Sequence, residues 1–175
     1  MKAQHLNTPI RGRNAMSDDT IQQKLSRPID EVLLMHSVLR RLGTGRVSSF
    51  KERLASQKYQ YLAQRLGLSV SYYYNLYLHG PYSPALAADL FRLSETDRKG
   101  EKQKFITHAK EDLLRETKTR LSKERLRVIE IAATLDWLKK IEESSKDALQ
   151  RLQAHKAPTQ AELESAQRLL EDLGL

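Results

Sequence analysis

Catalysis and metal binding need side chains that can converge, and this 175-residue chain offers few starting points. Its histidines, His5, His36, His79, His108 and His155, are scattered, and only His108 has an acid one helical turn on, at Asp112. Two ligands do not make a metal site, so the pair reads as an exposed His/Asp contact. The absence of cysteine excludes disulfides, thiolate ligands and thiol nucleophiles. No Ser, Thr or Lys stands in a nucleophile motif, and Gly43-Thr44-Gly45 is too short to cradle a phosphate. Carboxylates distant in sequence could still meet in space, but nothing in their spacing points to it. The expectation is a non-enzymatic protein without cofactor or metal.

Two other groups of residues could carry a binding function. All seven tyrosines fall between Tyr59 and Tyr82. In an extended segment Tyr72, Tyr74, Leu76 and Leu78 share one face, and Tyr73, Asn75, Tyr77 and His79 share the other. One face must be core. The second either completes a two-sided core or meets a partner, for which tyrosine supplies contact area at low entropic cost. The second group is basic. The formal net charge is +8, and residues 98–127 hold eleven Lys and Arg against five Asp and Glu. Lys99, Lys102, Lys104, Lys110, Lys118, Arg120 and Lys123 are the phosphate-contact candidates there. Acids within the same stretch, such as Glu111, Asp112 and Glu116, allow the plainer reading of a solvated helix.

The elements that must position these residues are mostly helical. Apolar spacing from Ile29 to Leu42 predicts a helix entered at Pro28 and closed by Gly43. A second runs from Ser49, its N-cap, to Leu66. Phe50, Leu54 and Tyr61 form one apolar sector there, Tyr59, Leu62 and Leu66 another, and Lys51, Lys58 and Arg65 a basic stripe between them. Residues 69–79 read as strand or extended chain, broken at Gly80-Pro81-Tyr82-Ser83-Pro84, with Ser83 capping the next helix. A basic helix over 104–120 follows. A very apolar, buried helix is then expected from Ser122 as cap, and two more lie over 147–153 and from Thr159, a capping-box start. The fold class expected is mainly α: one compact helical domain of five to seven helices over 27–175, with a short extended tyrosine-rich segment. Residues 1–26 read as a flexible basic N-terminal arm, of which 1–15 look dispensable because Met16 offers a second start. No run approaches the roughly 18 apolar residues of a membrane span, and the first residues lack the apolar region of a signal peptide. A cytoplasmic bacterial or archaeal protein is the plain expectation.

One block of residues resembles a known family. Gln57-Lys58-Tyr59-Gln60-Tyr61-Leu62-Ala63-Gln64, Gly67, Tyr74-Asn75-Leu76-Tyr77-Leu78-His79-Gly80-Pro81-Tyr82-Ser83-Pro84-Ala85-Leu86 and Asp89-Leu90 are similar to the YwgA-like and SocA-like proteins of the Panacea antitoxin grouping. The likeness continues through Glu130, Ala133, Thr134 and Leu138, and again in Lys156-Ala157-Pro158, Ala166, Leu169 and Gly174. His79 departs from the family's usual Tyr, Tyr59 from its Leu, and Lys156-Ala157-Pro158 from a tighter Lys-Pro. The resemblance implies a mainly helical fold and no catalytic residues. It also implies a module that binds and restrains a partner protein, a neighbouring toxin or defence effector. Tyr73, Tyr77, His79, Gly80, Pro81, Tyr82 and Ser83 are the partner-contact candidates. A nucleic-acid-binding regulator using the 98–127 surface is the alternative.

Overall fold

The computed structural model describes residues 27–94 and 108–175. The expected arm over 1–26 and the candidates Lys99, Lys102 and Lys104 lie outside the described residues. Within them are helices α1 (Ile29–Leu42), α2 (Phe50–Arg65), α3 (Pro84–Ser94), α4 (His108–Leu121), α5 (Leu126–Ile141), α6 (Ser145–Lys156) and α7 (Gln160–Leu173). Strands β1 (Asn75–Tyr77) and β2 (Gly80–Tyr82) lie between α2 and α3. The protein is mainly α-helical, with one small antiparallel hairpin.

The helix ends follow from their residues. Gly43 takes a left-handed conformation, φ 94°, and its N–H bonds back to the last turn of α1, a glycine C-cap. Ser49 and Thr159 form capping boxes with Glu52 and Glu162, each satisfying amide groups that a helix start leaves open. Ser83 Oγ accepts from Leu86 N at the start of α3. Ser122 does not cap α5 as expected. Its hydroxyl turns back to Thr119 O, and α5 starts only at Leu126 with Arg125 before it.

Helix α5 is the centre. Residues Val128–Asp136 are buried without a break, so the helix has no solvent face over that length. Helices α2, α6 and α7 and strand β2 pack against it, and α1 packs on α2 and α4. Two acidic residues in this helix face the N-terminal half of the molecule. Asp136 takes a hydrogen bond from Tyr61 Oη at 2.6 Å and a two-pronged contact from Arg65, at 2.7 and 3.0 Å. Glu130, one and a half turns earlier, faces the hairpin. A buried carboxylate is tolerated only where such donors replace water.

Candidate hairpin groove

The chain between α2 and α3 has almost no sheet to satisfy its backbone, and α2 supplies the missing partners. Gln57 bonds both Ser83 N and Ser83 O, at 2.9 and 3.0 Å. Gln64 does the same for Tyr72, at 2.7 and 3.1 Å. Gln60 donates to Val70 O at 2.8 Å. A glutamine amide presents an N–H donor and a carbonyl acceptor side by side, as a neighbouring strand would, so one helix face replaces a strand. That face explains why Gln57, Lys58 and Gln60 are buried in the middle of a helix.

The hairpin itself closes over α5. Leu78 and His79 form the turn without a positive φ, and Gly80 supplies the left-handed step at +82°, the arrangement of a turn with a glycine bulge. No side chain fits at Gly80: a Cβ would lie 2.1 Å from Thr134 Oγ1. Behind the hairpin sits a group of charges. Lys58, 1% exposed, donates to Pro81 O at 2.6 Å. Lys156 reaches Glu130 Oε1 at 2.5 Å and also donates to Leu78 O. Arg127 and His79 approach the same carboxylate oxygen at 3.5 and 3.6 Å, and His155 Nε2 lies 3.0 Å from Tyr77 O. Glu130 is thus amply balanced. Burial then lowers the Lys58 ammonium to about 7, with Glu130 opposing the shift and Lys156 reinforcing it. A neutral amine still donates to Pro81 O, so losing the proton does not release the strand.

The outward side of the hairpin is different in kind. With α2, α3 and the turn before α2 it walls a cavity of about 380 Å³. Val47, Leu54, Ala87 and Leu90 line its depth. Phe50, Tyr77, Leu78 and Phe91 also line it and stay 57%, 49%, 75% and 47% exposed. The ring of Phe50 meets His79 edge-on at 5.1 Å, and Tyr77 meets Tyr82 at 5.2 Å. The lining has basic side chains in Arg53, Lys58 and His79 and no acid. Large apolar side chains gathered this way around a concave surface mark interaction sites more often than single exposed ones do.

The partner-contact candidates divide on this geometry. Tyr77 and His79 reach the groove with Tyr82, which is half-buried. Tyr73 is 79% exposed and lies outside the lining. Gly80, Pro81 and Ser83 are buried and build the corner. The alternation of faces holds for Tyr72 and Tyr74, buried, against Tyr73 and Asn75, exposed. It fails at Leu78 because the turn intervenes. Two expectations for α2 are corrected. Phe50 belongs to the groove rim rather than to a core sector: it lines the cavity and stays mostly exposed. Lys58 leaves the basic stripe for the interior because Pro81 O and Glu130 await it there. Phe50, Leu78 and Phe91 were the site residues that sequence reasoning missed; no local spacing brings them together.

Of the basic candidates, Lys110, Lys118 and Lys123 are exposed. Arg120 is engaged with Glu116 and with Asp172 O, and Arg115 with Asp112. Among the described residues no three His, Asp or Glu side chains gather as a metal site would require, and no helix is long and apolar enough to cross a membrane. No family model, curated protein or solved structure matches the chain.

Proposed function

We propose that the protein is a non-enzymatic interaction module that binds and restrains a partner protein in the cytoplasm, and that the hairpin groove is its contact surface. The observation that carries this reading is the cluster of Phe50, Tyr77, Leu78 and Phe91 around an apolar cavity. These side chains do not stabilise the isolated chain by their exposed area, and they would gain about 25 cal/mol per Å² when covered. The Panacea-like residues lend the same direction: Gln57, Lys58, Gly80, Pro81 and Ser83 build the support of this hairpin, and Gln64 holds the segment leading into it at Tyr72. A toxin or defence effector encoded nearby is the partner that the resemblance suggests. The nucleic-acid alternative draws less support, because acids interleave with the basic side chains along α4.

The test is co-expression of the full chain with the genes adjacent to its own, followed by size exclusion. A stable complex is expected, and Phe50→Asp with Leu78→Asp should abolish it while the melting temperature of the free chain stays within a few degrees. A complex that survives both substitutions would overturn the assignment of the surface. Failure of every neighbouring product to bind would overturn the partner reading.

A further inference from the structure

A second concavity lies on the other flank of the start of α2. Arg40, Arg46 and Lys51 line it beside the Gly43–Thr44 turn, in a cleft of about 570 Å³. Its one lining acid, Glu52, is committed to the capping box with Ser49. Arg40, Arg46 and Lys51 are exposed and form no ion pair among the described residues. Residues 46–55 therefore separate two unlike hollows. Val47, Phe50, Arg53 and Leu54 face the apolar one, and Arg46, Lys51, Glu52 and Ala55 the basic one. An α-helix with its side chains is about 10 Å across, a distance that about three extended residues span.

From this we infer that the module recognises a linear partner segment with a bulky apolar anchor and an acidic cluster about three to five residues away. The inference rests on the partner-binding reading and names the chemistry of what is bound. The anchor fills the cavity between Phe50, Leu78 and Phe91. The chain then crosses the first turn of α2 and lays its carboxylates over Arg40, Arg46 and Lys51. Charge complementarity selects this occupant over a second copy of the chain. The groove lining includes Arg53 and no acid, and Arg40, Arg46 and Lys51 stand exposed on its flank, so two facing copies would bring like charges together. The apolar anchor supplies most of the affinity, and the acids mainly speed association and exclude other segments.

The experiment uses a library of random linear 12-residue peptides displayed on phage and selected on the full chain. The consensus peptide is then synthesised and titrated against wild type, Leu78→Asp and the double variant Arg46→Glu/Lys51→Glu. The expected consensus has one aromatic or large aliphatic residue with two or more Asp or Glu at the stated spacing. Leu78→Asp should weaken binding at least tenfold. The double reversal should weaken it by a smaller factor, about three- to fivefold at low salt, and much less at 0.5 M salt, where exposed charges are screened. A consensus without acids, or one indifferent to the double reversal, overturns the inference and leaves the docking surface standing. Binding indifferent to Leu78→Asp overturns both. No enriched peptide, or concentration-dependent self-association abolished by Leu78→Asp, also overturns the inference. The second of these results would make a copy of the chain the occupant.

Discussion

The two sides of the β1–β2 hairpin solve opposite problems. Its inner side buries Gly80 and Pro81 against α5, over a carboxylate and two ammonium groups withdrawn from water. Its outer side leaves Tyr77 and Leu78 in solvent, where burial elsewhere would have stabilised the fold. A two-stranded hairpin is marginal by itself, and this one has three residues in each strand. Its order therefore comes from the inner side: Lys58 on Pro81 O, Lys156 on Leu78 O and Gln57 on both polar groups of Ser83. Costly buried charge on one side holds a fixed apolar surface on the other. That division separates residues whose loss should unfold the chain from residues whose loss should silence it.

The largest break in this contrast is expected at Glu130. Glu130→Gln leaves Lys156 buried without its counter-charge, and removing one partner of a buried pair costs about 3–5 kcal/mol. Urea denaturation should show the loss directly. A change below about 1 kcal/mol would mean that the charges do not anchor the hairpin, and the proposed division would fail.

Gly80→Ala should cost a similar amount, about 2–6 kcal/mol. It combines a left-handed backbone with a Cβ that would overlap Thr134 Oγ1, and strain of each kind costs about 1–3 kcal/mol. The two parts can be separated. Thr134→Ala removes the obstructing hydroxyl, so the double variant should recover part of the loss and leave only the backbone share. Full additivity would show that the close approach is of no energetic consequence.

How much of this was legible beforehand differs between the two sides. The helices, their capping residues other than Ser122 and the break at Gly80–Pro84 follow from local rules, and the structure has them within a few residues. The inner side left a partial trace: polar residues at Gln57, Lys58, Gln60 and Gln64 interrupt a helix that must be central. Their function could not be read, because it depends on backbone groups 8 to 26 residues away. Lys58 in particular looks like one member of a basic stripe spaced seven residues apart until Pro81 O and Glu130 are placed beside it. The outer side left less. Phe50 and Leu90 or Phe91 are apolar residues at helical spacing, as core residues are, and only the angle between α2, α3 and the hairpin turns them into a rim.

Lys58 also gives the inner side a pH signature of moderate size. Its ammonium titrates near 10.5 in the unfolded chain and at about 7 in the folded one. Between those values the unfolded chain holds the additional proton, so stability rises with pH. From pH 7 to pH 9 this single group should contribute an increase of about 2 kcal/mol. Lys58→Met keeps most of the unbranched side chain and removes the titration. Its stability should lack that rise, which paired urea titrations at the two pH values would reveal as a difference between the chains. Parallel pH profiles would place the proton elsewhere.

The smallest effects are expected on the outer side, where they sharpen the comparison most. Leu78→Asp replaces a side chain that is 75% exposed, and substitutions at such positions change stability by about 0.5 kcal/mol or less. It should nonetheless abolish partner binding. Tyr73→Ala removes a larger and equally exposed side chain, 79% exposed and outside the groove lining. It should alter neither stability nor affinity. The pair matters because both residues belong to the same tyrosine-rich segment and are alike in exposure and apolar character. General stickiness of that segment predicts equal losses from the two. A binding surface defined by the concavity between α2, α3 and the hairpin predicts loss from Leu78 alone. Calorimetry of each variant with the co-purified partner decides between them, and a loss at Tyr73 would move the contact surface away from the groove.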